Sequence, residues 1–283
     1  MPTDVTTQSP SASPSRAPDM AELQELEHGE GHDYAAGSPH IRHHQLRDRL
    51  VGALHAMVGE VTDRRGRCRV VEIGAGHGTF TDHLLAAGAE VEVTEMSGPS
   101  ADALRRRFRH NPKVSVVHDP DGSAPLHGDA VDAVVCLSVL HHIPDYLATV
   151  DLLTARVAPG GAFLSFQDPL WYPRRSAVSM AADRGAYFLW RLGQGELGRG
   201  LATRARRARG VLDETNSADM AEYHVVRQGV DEQALCDRLA GSFGRVELMR
   251  YWSTQSGVLQ RLGERLAPPS TFGLLAHDRT PRT

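Results

Sequence analysis

Five short apolar runs, rich in β-branched residues and closed by turn-forming residues, constrain this chain more than any other feature. RVVEIGAG begins at Arg69, AEVEVTE at Ala89, KVSVVHD at Lys113, AVDAVVCLSVL at Ala130 and AFLSFQD at Ala162. Runs of this length and texture are expected of strands buried on both faces. Helical spacing fills the gaps between them. Thr79 to Ala87 reads as a helix closed by Gly88. SGPSADALRRRFRH reads as another, with Ser and Asp residues suited to capping. Pro144 and Asp145 open a third through Tyr146, Leu147, Val150, Leu153 and Val157, which Pro159-Gly160-Gly161 is expected to stop. Strands and helices in this alternation make right-handed βαβ units, so the predicted fold class is α/β, a mostly parallel sheet with helices on both faces.

The flanks set the domain organisation. Residues 1–19 are rich in Ser, Thr and Pro and are expected to form a disordered tail. Residues 20–66 are read as an N-terminal helical lid. Within it Leu46, Leu50, Leu54, Met57, Val58 and Val61 recur at three- and four-residue spacing, one apolar stripe that packs on or lids the neighbouring domain. Residues 67–169 form the ligand-binding core. Residues 170–230 break the rhythm and are read as a helical insertion after the fifth strand. Residues 231–283 return to the sheet through GVDEQALCDRLAGSF, RVELMRYW, VLQRLGERLAP and STFGLLAHD.

Composition removes several function classes. The 31 Lys and Arg against 35 Asp and Glu leave a net charge of −4, which argues against a nucleic-acid binder. No apolar run approaches the roughly 18 residues of a membrane span, and the first twenty residues lack the apolar core of a secretory signal. Cys68, Cys136 and Cys236 form no CxxC pair and suit a reducing compartment, so a cytoplasmic location is expected. Lys113 is the only lysine, which argues against Schiff-base chemistry. His28, His32, His40, His43 and His44 cluster before the first strand. His40 and His44 are spaced to share one helical face, but no paired Cys or HExxH pattern accompanies them. No metal is expected; a surface cluster or a lid over the ligand is the reading.

The chemistry starts at Glu72-Ile73-Gly74-Ala75-Gly76-His77-Gly78, between the first strand and its helix, where an open α/β sheet binds ligands. A dinucleotide fingerprint requires its third glycine three positions after the second. Here that position is Thr79 and the glycine comes one residue early, so the pyrophosphate pattern is missed. Glu95 ends the second strand, 21 residues after Gly74, placed to accept hydrogen bonds from two ribose hydroxyls. After the third strand, HDPDG offers Asp119 or Asp121 to an adenine amino group. Asp119 is favoured because it is closer to the strand end.

VVEIGAGHGTF, EVTEMS, HDPDGS, DAVVCLSVLHHIPD and VAPGGAFLSFQDP together resemble the class I S-adenosylmethionine-dependent methyltransferases, and within them the small-molecule enzymes of bacterial natural-product pathways. The resemblance spans about residues 68–170. It implies a Rossmann-like methyltransferase fold, with a seven-stranded sheet carrying one antiparallel strand, and S-adenosylmethionine as cofactor. It further implies that Gly74, Gly76 and Gly78, in the turn with Glu72 and Ala75, would cradle the methionine part. Glu95 would hold the ribose, Met96 would lie against the adenine, Asp119 would approach its edge, and Leu137 and Ser138 would line the methionine moiety.

A methyl donor of this kind leaves the protein mainly to align acceptor, methyl and sulfur. His141 and His142 stand where the fourth strand meets the rim. Neutral imidazole is a suitable base there, and His141 is favoured, with Tyr223 and His224 a second acid/base pair. Trp171, Tyr172, Tyr187 and Trp190 are read as an acceptor-binding set in the insertion. Arg199, Arg204, Arg206, Arg207 and Arg209 are read as a solvated face rather than an anion grip. The leading expectation is methylation of a small secondary metabolite, on oxygen in preference to nitrogen or carbon, with no nucleic-acid or membrane partner and a homodimer left open. The alternative is a cyclase or rearrangement enzyme on the same fold, using the cofactor structurally. A nicotinamide oxidoreductase is disfavoured by Thr79 and the missing Tyr-x-x-x-Lys pair, and a non-catalytic adapter by the ribose-binding acid.

Overall fold

The structure, a computed structural model, describes residues 38–193 and 228–281. The one-turn helix α1 (Pro39–Arg42) leads into α2 (His44–Arg65), β1 (Arg69–Ile73), α3 (Thr79–Ala86), β2 (Glu90–Glu95), α4 (Gly98–Phe108) and β3 (Val114–His118). Then come β4 (Val131–Leu137), α5 (Tyr146–Arg156), β5 (Val157–Pro169), α6 (Ala177–Gly193), α7 (Glu232–Ala240), β6 (Phe243–Tyr251), α8 (Gly257–Leu266) and β7 (Thr271–Arg279). Tyr223, His224, the arginines at 199–209, His28, His32 and the tail at 1–19 lie outside the described residues.

The strands form one seven-stranded sheet in the order β3-β2-β1-β4-β5-β7-β6. β1 to β5 pair in parallel, while β7 is antiparallel to both β5 and β6. β6 therefore runs with the first five, and every strand but β7 ends at the same edge. The order reverses between β1 and β4, the switch point where ligands enter such sheets.

Alternation along each strand sends neighbours to opposite faces. Val70, Ala133, Val135 and Leu164 join a core with the buried stripe of α2, with Phe80 and Leu84 of α3, and with Leu104 and Phe108 of α4. Val71, Val134, Cys136 and Phe163 join a second core with Val150 and Leu153 of α5 and Leu235 and Leu239 of α7. The α2 stripe is Leu46, Leu50, Leu54, Met57, Val58 and Val61, each at most 1% exposed. Its burial is worth roughly 9–18 kcal/mol gross. Arg65, in the last turn of α2, reaches the edge where β4 and β5 begin: its Nε donates to Asp132 at 2.6 Å and its Nη1 to the Pro159 carbonyl at 2.6 Å. α2 thus runs against the strands, and its first turn stands at their carboxyl edge.

Two local expectations are corrected. Pro159-Gly160-Gly161 does not stop α5; the helix ends at Arg156, and Val157 already pairs with Val131. The position before a proline disfavours helical backbone, and the strand pairing takes over three residues early. His40 and His44 do not share a helix, because His43 between them is extended (φ −92°, ψ 116°). His40 and His43 are buried rather than part of a surface cluster.

Candidate functional site

β1 leaves the sheet through three residues in left-handed backbone, Gly74 (φ 66°), Gly76 (φ 55°) and Gly78 (φ 77°). A side chain at Gly78 would also meet the Phe108 ring at 2.8 Å and Leu104 at 2.9 Å. Conformation and space both demand glycine there. Glu95, at the end of β2, reaches into this turn. Its Oε2 accepts the Gly76 N–H at 3.0 Å and its Oε1 accepts the Ser97 N–H at 3.1 Å. Burial pushes the Glu95 pKa up, opposed by those backbone bonds.

Glu72, next to the last residue of β1, is 1% exposed, and its Oε2 accepts the Thr81 hydroxyl at 2.6 Å. Burial, the largest cause, pushes its pKa up to about 7, with Asp82 and Glu95 adding negative charge and the Thr81 bond opposing. Ala75 closes the turn by accepting the Gly78 N–H at 2.9 Å.

Beyond β3, Asp119 and Asp121 separate. Asp119 is buried and accepts the Ser123 and Ala124 N–H groups, each at 3.1 Å. Asp121 is exposed and accepts the Ser123 hydroxyl at 2.7 Å. Burial raises Asp119, whereas the Ser123 hydroxyl lowers Asp121. The Met96 carbonyl meets His118 Nε2 at 3.1 Å beside them.

On the other side of β1, β4 ends at Leu137, and Ser138 turns with φ 60° while its N–H donates to the Phe166 carbonyl at 2.7 Å. A short 3-10 turn, Leu140–His142, comes next. His141 is buried, and its Nδ1 lies 2.7 Å from Asp168 Oδ1, which also accepts the His141 N–H at 3.2 Å. The other carboxylate oxygen accepts the Ser165 hydroxyl at 2.6 Å. An ionised carboxylate only accepts, so with Asp168 ionised the His141 Nδ1 is the donor in this contact. The His142 ring is 4.0 Å from that of His141 and half-buried.

A bulge makes this contact. The pairing of β5 with β7 shifts between Phe166 and Asp168, leaving Gln167 as an extra residue with φ 72°. Without it, Asp168 would share the face of Phe166; with it, Asp168 joins Ser165 on the opposite face, where His141 arrives. Ser138, just past β4, and Gln167, the bulge near the end of β5, are two non-glycine residues in left-handed backbone near the same edge, a kind of strain that clusters at functional sites. Local sequence patterns do not single out Asp168, Ser165 or Gln167. Strand-end acids are common, and the one available signal is an acid just before Pro169 in an otherwise apolar run.

Gln167 also ties β5 to β6: its N–H donates to the Tyr251 hydroxyl at 3.1 Å and its Nε2 to Ser253 at 2.7 Å. Of the aromatic set, Trp171 lies under the Arg174 guanidinium (4.6 Å) and Tyr172 beside Arg175 (5.5 Å), just after β5. Those arginines pair with Asp231, Glu232 and Asp183. Tyr187 and Trp190 form a separate tilted pair on α6, with centroids 5.8 Å apart.

A family model described as a methyltransferase domain matches residues 41–195. The ubiquinone biosynthesis O-methyltransferase of Aromatoleum aromaticum is 34% identical over 95 residues, 33% of this chain and 41% of that protein. The demethylmenaquinone methyltransferase of Clavibacter sepedonicus is 30% identical over 93 residues, 33% of this chain and 38% of that protein. The chain thus spans about two fifths of the length of these curated relatives. Among solved structures, the N-methyltransferase NodS from Bradyrhizobium japonicum, in complex with S-adenosyl-l-homocysteine, superposes with a TM-score of 0.52 at 16% identity, covering 94% of this chain and 100% of that one. The DszA carbon methyltransferase gives 0.55 at 15%, covering 92% and 61%. At such identities the two structures establish the fold alone.

Proposed function

The chain belongs to the methyltransferase-domain family, and from that premise we propose that it transfers a methyl group from S-adenosylmethionine to a small-molecule acceptor, with oxygen the favoured atom and His141 the general base. The observation that carries the reading is the His141–Asp168 contact of 2.7 Å at the carboxyl edge, one strand away from the glycine turn.

The residues present fit the methyl donor. Gly74, Gly76 and Gly78, all in left-handed backbone, put no side chains of their own in the way of a close approach, and Glu95 is a buried acid at the end of the neighbouring strand. Glu95 would hold the two ribose hydroxyls, with Met96 and Asp119 toward the adenine. Gly74, Gly76, Leu137 and Ser138 would bound the methionine end, and Glu72 supports the turn from beneath through Thr81. When bound, the donor supplies a methyl on a positively charged sulfur, already activated for displacement.

The chain's own residues do the rest. Asp168 orients the His141 ring, and Ser165 holds Asp168. Nε2 of His141 takes the acceptor's hydroxyl proton as the new bond forms. Asp168 then faces the resulting imidazolium and offsets its charge. A base of this kind contributes about 10²–10⁴-fold. Similarity to an O-methyltransferase over a third of the chain supports oxygen as the acceptor atom. The aromatic residues Trp171, Tyr172, Tyr187 and Trp190 are proposed to bound the acceptor, and His142, its ring tilted against that of His141, to limit its ring motion. Within the described residues no helix is long and apolar enough to cross a membrane.

Calorimetric titration of the wild-type protein and Glu95→Ala with S-adenosylhomocysteine tests the reading. Saturable wild-type binding, weakened about 10–10²-fold by loss of charge-assisted hydrogen bonds, is the expected result. A folded wild-type protein that does not bind overturns it.

A further inference from the structure

α1 crosses the carboxyl edge as a strap fixed at both ends. At one end the His40 ring stacks on Phe80, centroids 5.5 Å apart, directly after the glycine turn. At the other, His43 Nε2 donates to the Thr254 carbonyl, 2.7 Å away, just beyond β6. In the strand order, β4 and β5 stand between β1, which Phe80 follows, and β6, which Thr254 follows.

His40 has one feature that packing on Phe80 does not explain. It is 4% exposed, and its Nδ1 is buried with no hydrogen-bond partner among the described residues. Orphaned buried polar atoms are rare in folded proteins because they forfeit hydration without replacement, and a ligand that completes the bond is a standard reason for one to persist. Phenylalanine would give the same stacking without that cost.

We propose that His40 is a binding residue for the amino-acid end of the methyl donor, with Nδ1 as the hydrogen-bonding atom. The assignment to that end comes from the strand order and rests on the functional reading above. Glu95 on β2 and Asp119 after β3 would place the ribose and adenine on one side of β1. The strap leaves Phe80 in the opposite direction, toward β4, β5 and β6. On that reading the methionine carboxylate and ammonium would lie on that side. Burial lowers the His40 pKa to about 4, so near neutrality the ring is uncharged and binds by hydrogen bonding rather than as an ion pair.

The test compares wild type, His40→Phe and His40→Asn by calorimetry with S-adenosylhomocysteine and with 5′-methylthioadenosine, which lacks the amino-acid end, alongside thermal melts of the unliganded proteins. His40→Phe is expected to melt at or above the wild-type temperature. It should bind S-adenosylhomocysteine about tenfold more weakly and 5′-methylthioadenosine within twofold of wild type. His40→Asn, which keeps a polar atom near the Nδ1 position, should recover most of the loss. If His40→Phe does not fold, His40→Leu gives the same comparison. Unchanged S-adenosylhomocysteine affinity, or equal losses for the two ligands, overturns the assignment and leaves the functional reading intact. Absence of wild-type binding removes both.

Discussion

Replacing Glu72 with glutamine should make the protein more stable, by an amount that grows with pH. Glu72 is 1% exposed, and its pKa is raised from 4.5 to about 7, chiefly by burial. A raised acid binds its proton more tightly folded than unfolded, so the unfolded chain binds fewer protons between those values and stability falls as pH rises through them. The cost is absent well below 4.5 and complete above about 7. Over that interval, at about 1.4 kcal/mol per pH unit, it reaches about 3 kcal/mol. Glutamine has no proton to lose and still accepts the Thr81 hydroxyl. Other titrating groups are common to both proteins and cancel in the difference. Urea unfolding of wild type and Glu72→Gln at pH 5, 6.5 and 8 should therefore show a stability gap that widens by about 2–3 kcal/mol from the lowest to the highest pH. The melting temperatures should separate further by roughly 5–10 °C. A gap that is constant with pH, or widens toward acid, would refute the argument that Glu72 is protonated by burial.

Other changes probe the site directly. His141→Ala should lower kcat about 10²–10⁴-fold with S-adenosylhomocysteine affinity within about threefold of wild type. A matching loss of affinity would place His141 in binding rather than proton transfer. Asp168→Asn keeps the shape but not the charge that orients His141. It should cost at least about tenfold in kcat and shift the acidic limb of the pH–rate profile downward, because an imidazolium facing an amide is less stable. An unmoved acidic limb would remove Asp168 from the positioning role. Gly78→Ala forces a methyl group against Phe108 in left-handed backbone, and urea unfolding should show a loss of about 1–3 kcal/mol.

Much of this architecture is written locally. Strand runs such as RVVEI and EVEVT, the αL glycine Gly66 after α2, and the Ser97 and Asp145 helix caps need only their neighbours to declare themselves. The glycine turn and Glu95 are legible for the same reason, since turn geometry and strand ends are short-range properties. The partner of His141 is not, because Asp168 lies 27 residues away and reaches it only after β4 and β5 pair and Gln167 bulges. In the sequence His40 reads as part of a surface cluster or a lid, with nothing to choose between them, because its burial depends on Phe80, forty residues downstream. The raised pKa of Glu72 requires both faces of β1 to be covered. The sequence alone therefore determined which segments become strands, helices and turns, since backbone propensity and side-chain periodicity act over a few residues. Only the tertiary structure decided which side chains meet, which are dehydrated and which carry protons, because strand order, register and solvent exclusion belong to the assembled sheet.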